Sequence, residues 1–172
     1  MSTETDITSA PEQSCPGTDH AAAFWGDERA QAWLGLMETH ARLVKALDAE
    51  LVARHDIGMS GYVTLARLSQ AEEGRLRMSE LAVQSLLSPS RVSRLVDELA
   101  GRGLVERRSC EEDSRVVYAV ITARGRDLLE DAQETHFSHV EKRLLGPLTE
   151  SDVKALVRIW ARLAEALPAP AR

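Results

Sequence analysis

This chain has little that can cross-link, stack or span a membrane. It holds two cysteines, Cys15 and Cys110, among 172 residues. That is too few for a disulfide framework and fits a reduced, cytoplasmic setting. Aromatic residues make up 4%, so a core must come mostly from Leu, Val and Ala, which favours helices over a β-sandwich. The opening MSTETDITSAPEQSCPGTDH lacks the apolar run of a signal peptide. No stretch approaches the roughly 20 apolar residues of a membrane span. The sequence contains no G-x-x-x-x-G-K-[ST], H-E-x-x-H or G-x-S-x-G, so nothing argues for catalysis, and no cofactor is expected. Of the five histidines, His136 and His139 share a helical face, but no Cys/His motif of metal spacing accompanies them. A surface or interface pair accounts for them better than a metal site. No internal repeat is visible.

The chain also lacks a basic excess. Its formal net charge is −6, which argues against a uniformly basic nucleic-acid binder. The charge is uneven, however. Residues 75–126 hold ten arginines against seven acidic residues, which leaves −9 on the remainder. A basic surface on an acidic chain suffices for a DNA-binding face.

What the sequence does have is centred on Ser88 to Gly103, SPSRVSRLVDELAGRG. Ser88 suits an N-cap and Pro89 the first helical position. Val92, Leu95, Val96 and Leu99 form one apolar stripe, and Gly103 fits the left-handed position that ends a helix. Ser90, Arg91, Ser93 and Arg94 fall away from that stripe, near the N-terminal end, where donors can meet base edges and phosphates.

Residues 1–20 read as a disordered polar tail and 21–172 as one domain. Ala21 to Trp25 suggests a short extra helix. Asp27 to His55 reads as one long helix with Ala30, Leu34, Met37, Ala41, Val44, Asp48 and Leu51 at near-heptad spacing, too long to bury on one small domain and suited to meet another subunit. Ser60 to Ala71 is a helix capped by Ser60, and Arg75 to Met78 a stub of strand. Ser79 begins a short helix with Leu81, Ala82 and Leu86 facing inward, and a brief turn leads to the Ser88 helix. This is a helix-turn-helix. Leu104 to Arg108 and Val116 to Thr122 are strand candidates around the polar loop SCEEDSR, so residues 60–122 make a winged helix-turn-helix. Thr122 caps a helix from Ala123 to about Leu144, with Leu128, Leu129, Ala132, Val140 and Leu144 inward. Thr149 and Asp152 form a capping box, followed by the strongest apolar stripe in the chain: Val153, Leu156, Val157, Trp160, Leu163, Ala164 and Leu167, closed by Pro168 and Pro170. The fold class is mainly α with a small β-hairpin wing, flanked by long helices over 27–55 and 123–167.

The stretch MSELAVQSLLSPSRVSRLVDELAGRGLVERR, the loop CEEDSR and the segment VVYAVITARGRDLL together resemble the MarR family of transcriptional regulators. The likeness extends over roughly Asp27 to Leu167, with Ile-Thr in place of Leu-Thr a minor departure. It implies a homodimer in which the long helices interleave. It also implies double-stranded DNA as partner, an inverted-repeat operator, repression, and release on a small-molecule effector.

Ser88, Ser90, Arg91, Ser93 and Arg94 are the expected DNA-reading face, since Arg donates two hydrogen bonds to guanine. By the resemblance, Arg115 is the wing residue at the minor groove, where narrow tracts concentrate negative potential. Asp113 is placed to brace Arg115 or a helix arginine, and Arg107 and Arg108 to add phosphate contacts. Trp33, Met37, His40 and Tyr62 would line an effector cleft, with plain packing as the alternative for each. Two other readings stay open. One is a redox-sensing regulator through Cys15 or Cys110, although Cys110 stands beside Glu111 and Glu112, whose charges oppose a thiolate. The other, favoured by the acidic balance, is a winged-helix protein-interaction module without DNA binding.

Overall fold

The computed structural model describes residues 18–110, 113 and 115–167. Cys15, the Pro168 and Pro170 stop, residues 1–17 of the tail and Glu111, Glu112 and Ser114 of the hairpin loop lie outside the described residues. The chain falls into two compact units, one ending at Arg42 and one running from Leu43.

In the first unit, helix α1 (Thr18–Trp25) begins inside the stretch read as tail. Gly26, at φ +80°, breaks it, and α2 (Asp27–His55) follows with the bounds the sequence suggests. Trp25 packs edge-on against Phe24 at 5.6 Å and against Trp33 at 6.3 Å between ring centroids. Trp33 and Met37 remain exposed.

The second unit holds the core. Helix α3 (Met59–Gln70) is capped differently from the expectation. Its N-cap is Gly58 rather than Ser60, and the Met59 N–H donates to Asp48 Oδ1 at 2.6 Å. This gives the one polar member of the α2 seam a purpose, because an unpaired backbone donor at a helix start needs an acceptor. A short 3₁₀ turn leads to strand β1 (Arg75–Arg77) and then α4 (Met78–Ser85). Arg77 rather than Ser79 is the N-cap of α4, and the Arg77 N–H donates to the Glu80 carboxylate at 3.0 Å.

Leu86 does not face inward as the sequence suggested. It ends α4 in the left-handed conformation at φ +55° and is 79% exposed. Leu87 takes the packing position beside the core instead. Sequence periodicity extends a helix through a residue that has already turned the chain.

Helix α5 (Pro89–Gly101) is capped by Ser88, whose Oγ accepts the Arg91 N–H at 3.4 Å. Gly103 adopts φ +71°, and the Leu104 N–H closes back on Leu99 O at 3.0 Å, as in a glycine-terminated helix. Strands β2 (Val105–Ser109) and β3 (Val117–Ile121) pair antiparallel, Val105 opposite Ile121 and Arg108 opposite Tyr118. β1 adds to the other side of β3, giving the order β1-β3-β2.

Thr122 caps α6 (Ala123–Val140) by accepting the Gly125 N–H at 3.0 Å. A Cβ on Gly125 would stand 2.2 Å from Leu104 O, so only glycine lets α6 start this close to β2. The helix was expected to run to about Leu144; instead α-helical geometry ends at Val140 and a π turn covers Glu141–Leu145. Thr149 and Asp152 form the expected reciprocal cap on α7 (Glu150–Ala166).

Leu51, Leu65, Leu68, Leu81, Val92, Val96, Leu99, Leu104 and Val105 are essentially sealed from solvent in one cluster. Burial of each stabilises the unit by about 1.5–3 kcal/mol. α7 is different. No residue of it is buried, and Val157, Trp160 and Leu163 are 64%, 46% and 41% exposed. No helix of the described residues is long and apolar enough to cross a membrane.

Candidate nucleic-acid interface

The apolar stripe of α5 fixes its rotation. Val92, Val96 and Leu99 are buried, so at 100° per residue Ser90, Arg94 and Asp97 must point outward, with Arg91 and Ser93 on the two flanks. The burial follows this, with Ser88, Ser90, Arg91 and Arg94 exposed and Ser93 intermediate. Ser88 and Ser90 lie 3.2 Å apart at their hydroxyls. Among the described residues neither Arg91 nor Arg94 pairs with a carboxylate, in contrast to the arginines of the adjacent hairpin. Beside them a hollow of about 480 Å³ opens between α5 and the start of α3, lined by Arg91, Arg94, Leu95, Asp48 and Ser60.

Ser93 and Arg107 are brought together, but as a brace. Arg107 donates to Ser93 Oγ at 2.7 Å and to Ser93 O at 3.1 Å, and its Nε lies 2.9 Å from Asp97. The guanidinium that the sequence offered to phosphate thus ties β2 to α5. Arg108 pairs with Glu106 at 2.7 Å on the same strand.

Arg115 and Asp113 also meet. The carboxylate accepts from the Arg115 backbone N–H at 3.0 Å and from its side chain at 3.1 Å, and these hydrogen bonds hold the Asp113 carboxyl below its usual range. Arg115 is 89% exposed. A pair that exposed is screened by solvent and adds little to stability, so the contact orients Arg115 without confining it.

The proposed effector residues stand in unlike surroundings. Trp33, Met37 and His40 are exposed residues of the first unit. Tyr62, in the second, is buried and stacks on His136 with ring centroids 4.6 Å apart. Burial raises the Tyr62 hydroxyl above its ordinary range and lowers the His136 imidazole below its own. His139 is 3.5 Å from Glu50, which also takes Arg143 at 3.2 Å, and His55 bonds Thr135 at 2.8 Å. Three of the histidines are thereby accounted for by ordinary packing partners. Cys110 is a half-buried free thiol at the end of β2.

Two residues with a stake in this surface were not singled out in the sequence. Arg75 and Arg77 flank the Tyr118 ring, with guanidinium carbons 5.2 and 6.0 Å from its centroid, and Arg77 Nε donates to the Tyr118 hydroxyl at 3.3 Å. The alternation in RLR was the available signal, because period two sends both arginines to one face of a strand.

Comparison with solved structures settles the lineage. Sco3205, a MarR family transcriptional regulator from Streptomyces coelicolor determined in complex with DNA, superposes with a TM-score of 0.76. It shares 30% sequence identity over 82% of this chain and 92% of that one. This chain belongs to the MarR family of transcriptional regulators. The MarR family model itself matches residues 57–117, from just after α2 to the first residue of β3. AbsC, another MarR regulator from Streptomyces coelicolor, aligns with a TM-score of 0.74 and 29% identity over 81% of this chain and 94% of that one. The HTH-type transcriptional repressor YetL of Bacillus subtilis is 26% identical over 125 residues, 72% of this chain and 74% of that protein. Membership makes this protein a regulator of transcription rather than an enzyme, and its three-stranded sheet is the wing of a MarR winged helix.

Proposed function

We propose that the protein is a dimeric, sequence-specific DNA-binding regulator, a repressor that leaves its operator when a small-molecule effector binds. The observation that carries this reading is the outward N-terminal face of α5, where Arg91 and Arg94 are exposed and unpaired among the described residues. A guanidinium left without a carboxylate is ready for guanine or phosphate. Ser88 and Ser90 add hydroxyls on the same face. Arg115 reaches from the wing with Asp113 orienting it, and Arg107 and Ser93 keep wing and helix in register. Support also comes from the relatives, one determined with DNA and one named a repressor.

Dimerisation is supported by the uncovered stripe of α7, where Val157, Trp160 and Leu163 stay exposed on one helix, since a run of exposed apolar side chains favours an interaction site. Two copies related by a two-fold axis imply an inverted repeat with half-sites about one helical turn apart. An effector acts by preferring one spacing of the two α5 helices over the other, because only a difference in affinity between states moves the equilibrium. Trp33, Met37, His40 and Tyr62 remain the candidates for sensing it.

The test is a binding titration of the intact chain on DNA flanking its own coding sequence. Native protein binds, with affinity falling steeply as salt rises. The double variant Arg91→Ala/Arg94→Ala loses that binding while keeping its helical circular dichroism. Equal binding by native and double variant removes α5 from the interface.

A further inference from the structure

A further exposed arginine stands outside both α5 and the wing tip, at the junction between β1 and α4. The junction between β1 and α4 brings Arg77 and Ser79 to a hollow of about 430 Å³ whose other walls include Ser93, Arg107 and Arg115. The hollow therefore sits between the two elements that meet a duplex under the proposed function. Among the described residues, the Arg77 side chain is the exposed guanidinium here that has no carboxylate at ion-pair distance. Arg107 is taken by Asp97 and Ser93, and Arg115 by Asp113. The Arg77 guanidinium is not loose, however, because the Tyr118 hydroxyl accepts from its Nε at 3.3 Å, leaving its remaining N–H groups undirected. Its charge also reaches the wing, where it adds to the Arg115 hydrogen bonds in holding Asp113 ionised. Ser79, exposed in the first turn of α4, offers a hydroxyl on the same rim.

We propose that this hollow is a slot for one backbone phosphate of the DNA, gripped by Arg77 and Ser79 with Arg115 on the far wall. The proposal rests on the DNA-binding reading and adds to it a contact that carries register rather than sequence. Phosphate contacts position a protein on a duplex, while base contacts specify. A phosphate entering between helix and wing sets how far α5 can slide along the groove. Tyr118 is then a positioning residue: its hydroxyl aims the guanidinium and touches no DNA.

The experiment measures operator affinity against salt for the intact protein and three variants, on the operator and on a set of its single-base changes. Arg77→Ala lowers the slope of log affinity against log salt by about 0.9, one phosphate's worth, and weakens binding by the same factor on every member of the set. Arg77→Lys restores the slope, because a point charge still holds a phosphate. Tyr118→Phe keeps the slope and lowers affinity only slightly. A native slope in Arg77→Ala overturns this assignment alone. So does Arg77→Lys failing together with Tyr118→Phe, which would make Arg77 a prop for the sheet. Inorganic phosphate competing at matched ionic strength, in native protein but not in Arg77→Ala, would assign the slot to free phosphate instead of DNA. Absence of duplex binding by native protein overturns the DNA reading itself, and this slot with it.

Discussion

Helices α5 and α7 are built alike and end differently. Both start at a hydroxyl cap, Ser88 for one and Thr149 for the other, and both carry apolar residues at steps of three and four. In α5 the stripe is covered within its own unit, with Val92, Val96 and Leu99 sealed from solvent. In α7 no residue is buried, and Val157, Trp160 and Leu163 face outward. The same pattern therefore serves two purposes. One helix is complete once the chain folds, and its polar face is what remains to act. The other leaves its apolar face uncovered, and that is the face the proposed dimer would use.

The sharpest way to break this comparison is to charge α7. Trp160→Glu with Leu163→Glu should leave a folded chain that sediments at the 18.9 kDa of one copy rather than twice that mass. Operator affinity should drop by about 100- to 10,000-fold, because the second half-site no longer binds intramolecularly. An unchanged mass would mean that something other than α7 holds the copies together.

Truncating one stripe residue in each helix sharpens the contrast. Leu99→Ala should cost about 2–5 kcal/mol, seen as a lower urea midpoint that is the same at every protein concentration. Leu163→Ala should give a loss that grows on dilution, since under the proposed dimer its packing partner is the second copy. Concentration-independent loss in both would erase the distinction between the helices.

On the polar side, Arg115→Ala should weaken operator binding by a few-fold and reduce the salt slope by about 0.9, read by fluorescence anisotropy. Its Asp113 pair is too exposed for the change to affect folding.

The smallest effect concerns pH. Burial beneath Tyr62 lowers the His136 pKa below its ordinary value of 6.5. The unfolded chain therefore binds the proton first as pH falls. The stability contributed by neutral His136 is complete above that ordinary value and is lost as pH drops through it toward the folded-state value. His136→Phe keeps a ring on Tyr62 and should flatten the fall in stability as pH drops below the ordinary imidazole value of 6.5. A profile with the native slope would assign that acid sensitivity elsewhere.

Much of this architecture was legible because the governing interactions are local. A hydroxyl before a proline marked the start of α5, Thr122 and Thr149 marked two more helices, and Gly103 marked a left-handed stop. What escaped depends on partners distant in sequence. Ser60 looked like a cap, but Asp48, eleven residues before Met59, supplies the acceptor. Leu86 fits the helical spacing but lies past the point where the chain turns. Arg107 has the composition of a phosphate ligand, and only folding shows that Ser93 and Asp97 stand within reach of it. Arg77 was passed over because its place beside Tyr118 requires β1 to pair with β3, a register that a three-residue strand scarcely announces.

The proposed function requires α5 to read DNA from two copies at once, and selection of duplexes from a random pool by the intact chain measures that without intermediaries. The enriched sequences should converge on an inverted repeat whose half-sites lie about 10 base pairs apart, centre to centre. A pool that stays unselected, or that converges on a single site without two-fold symmetry, would contradict it.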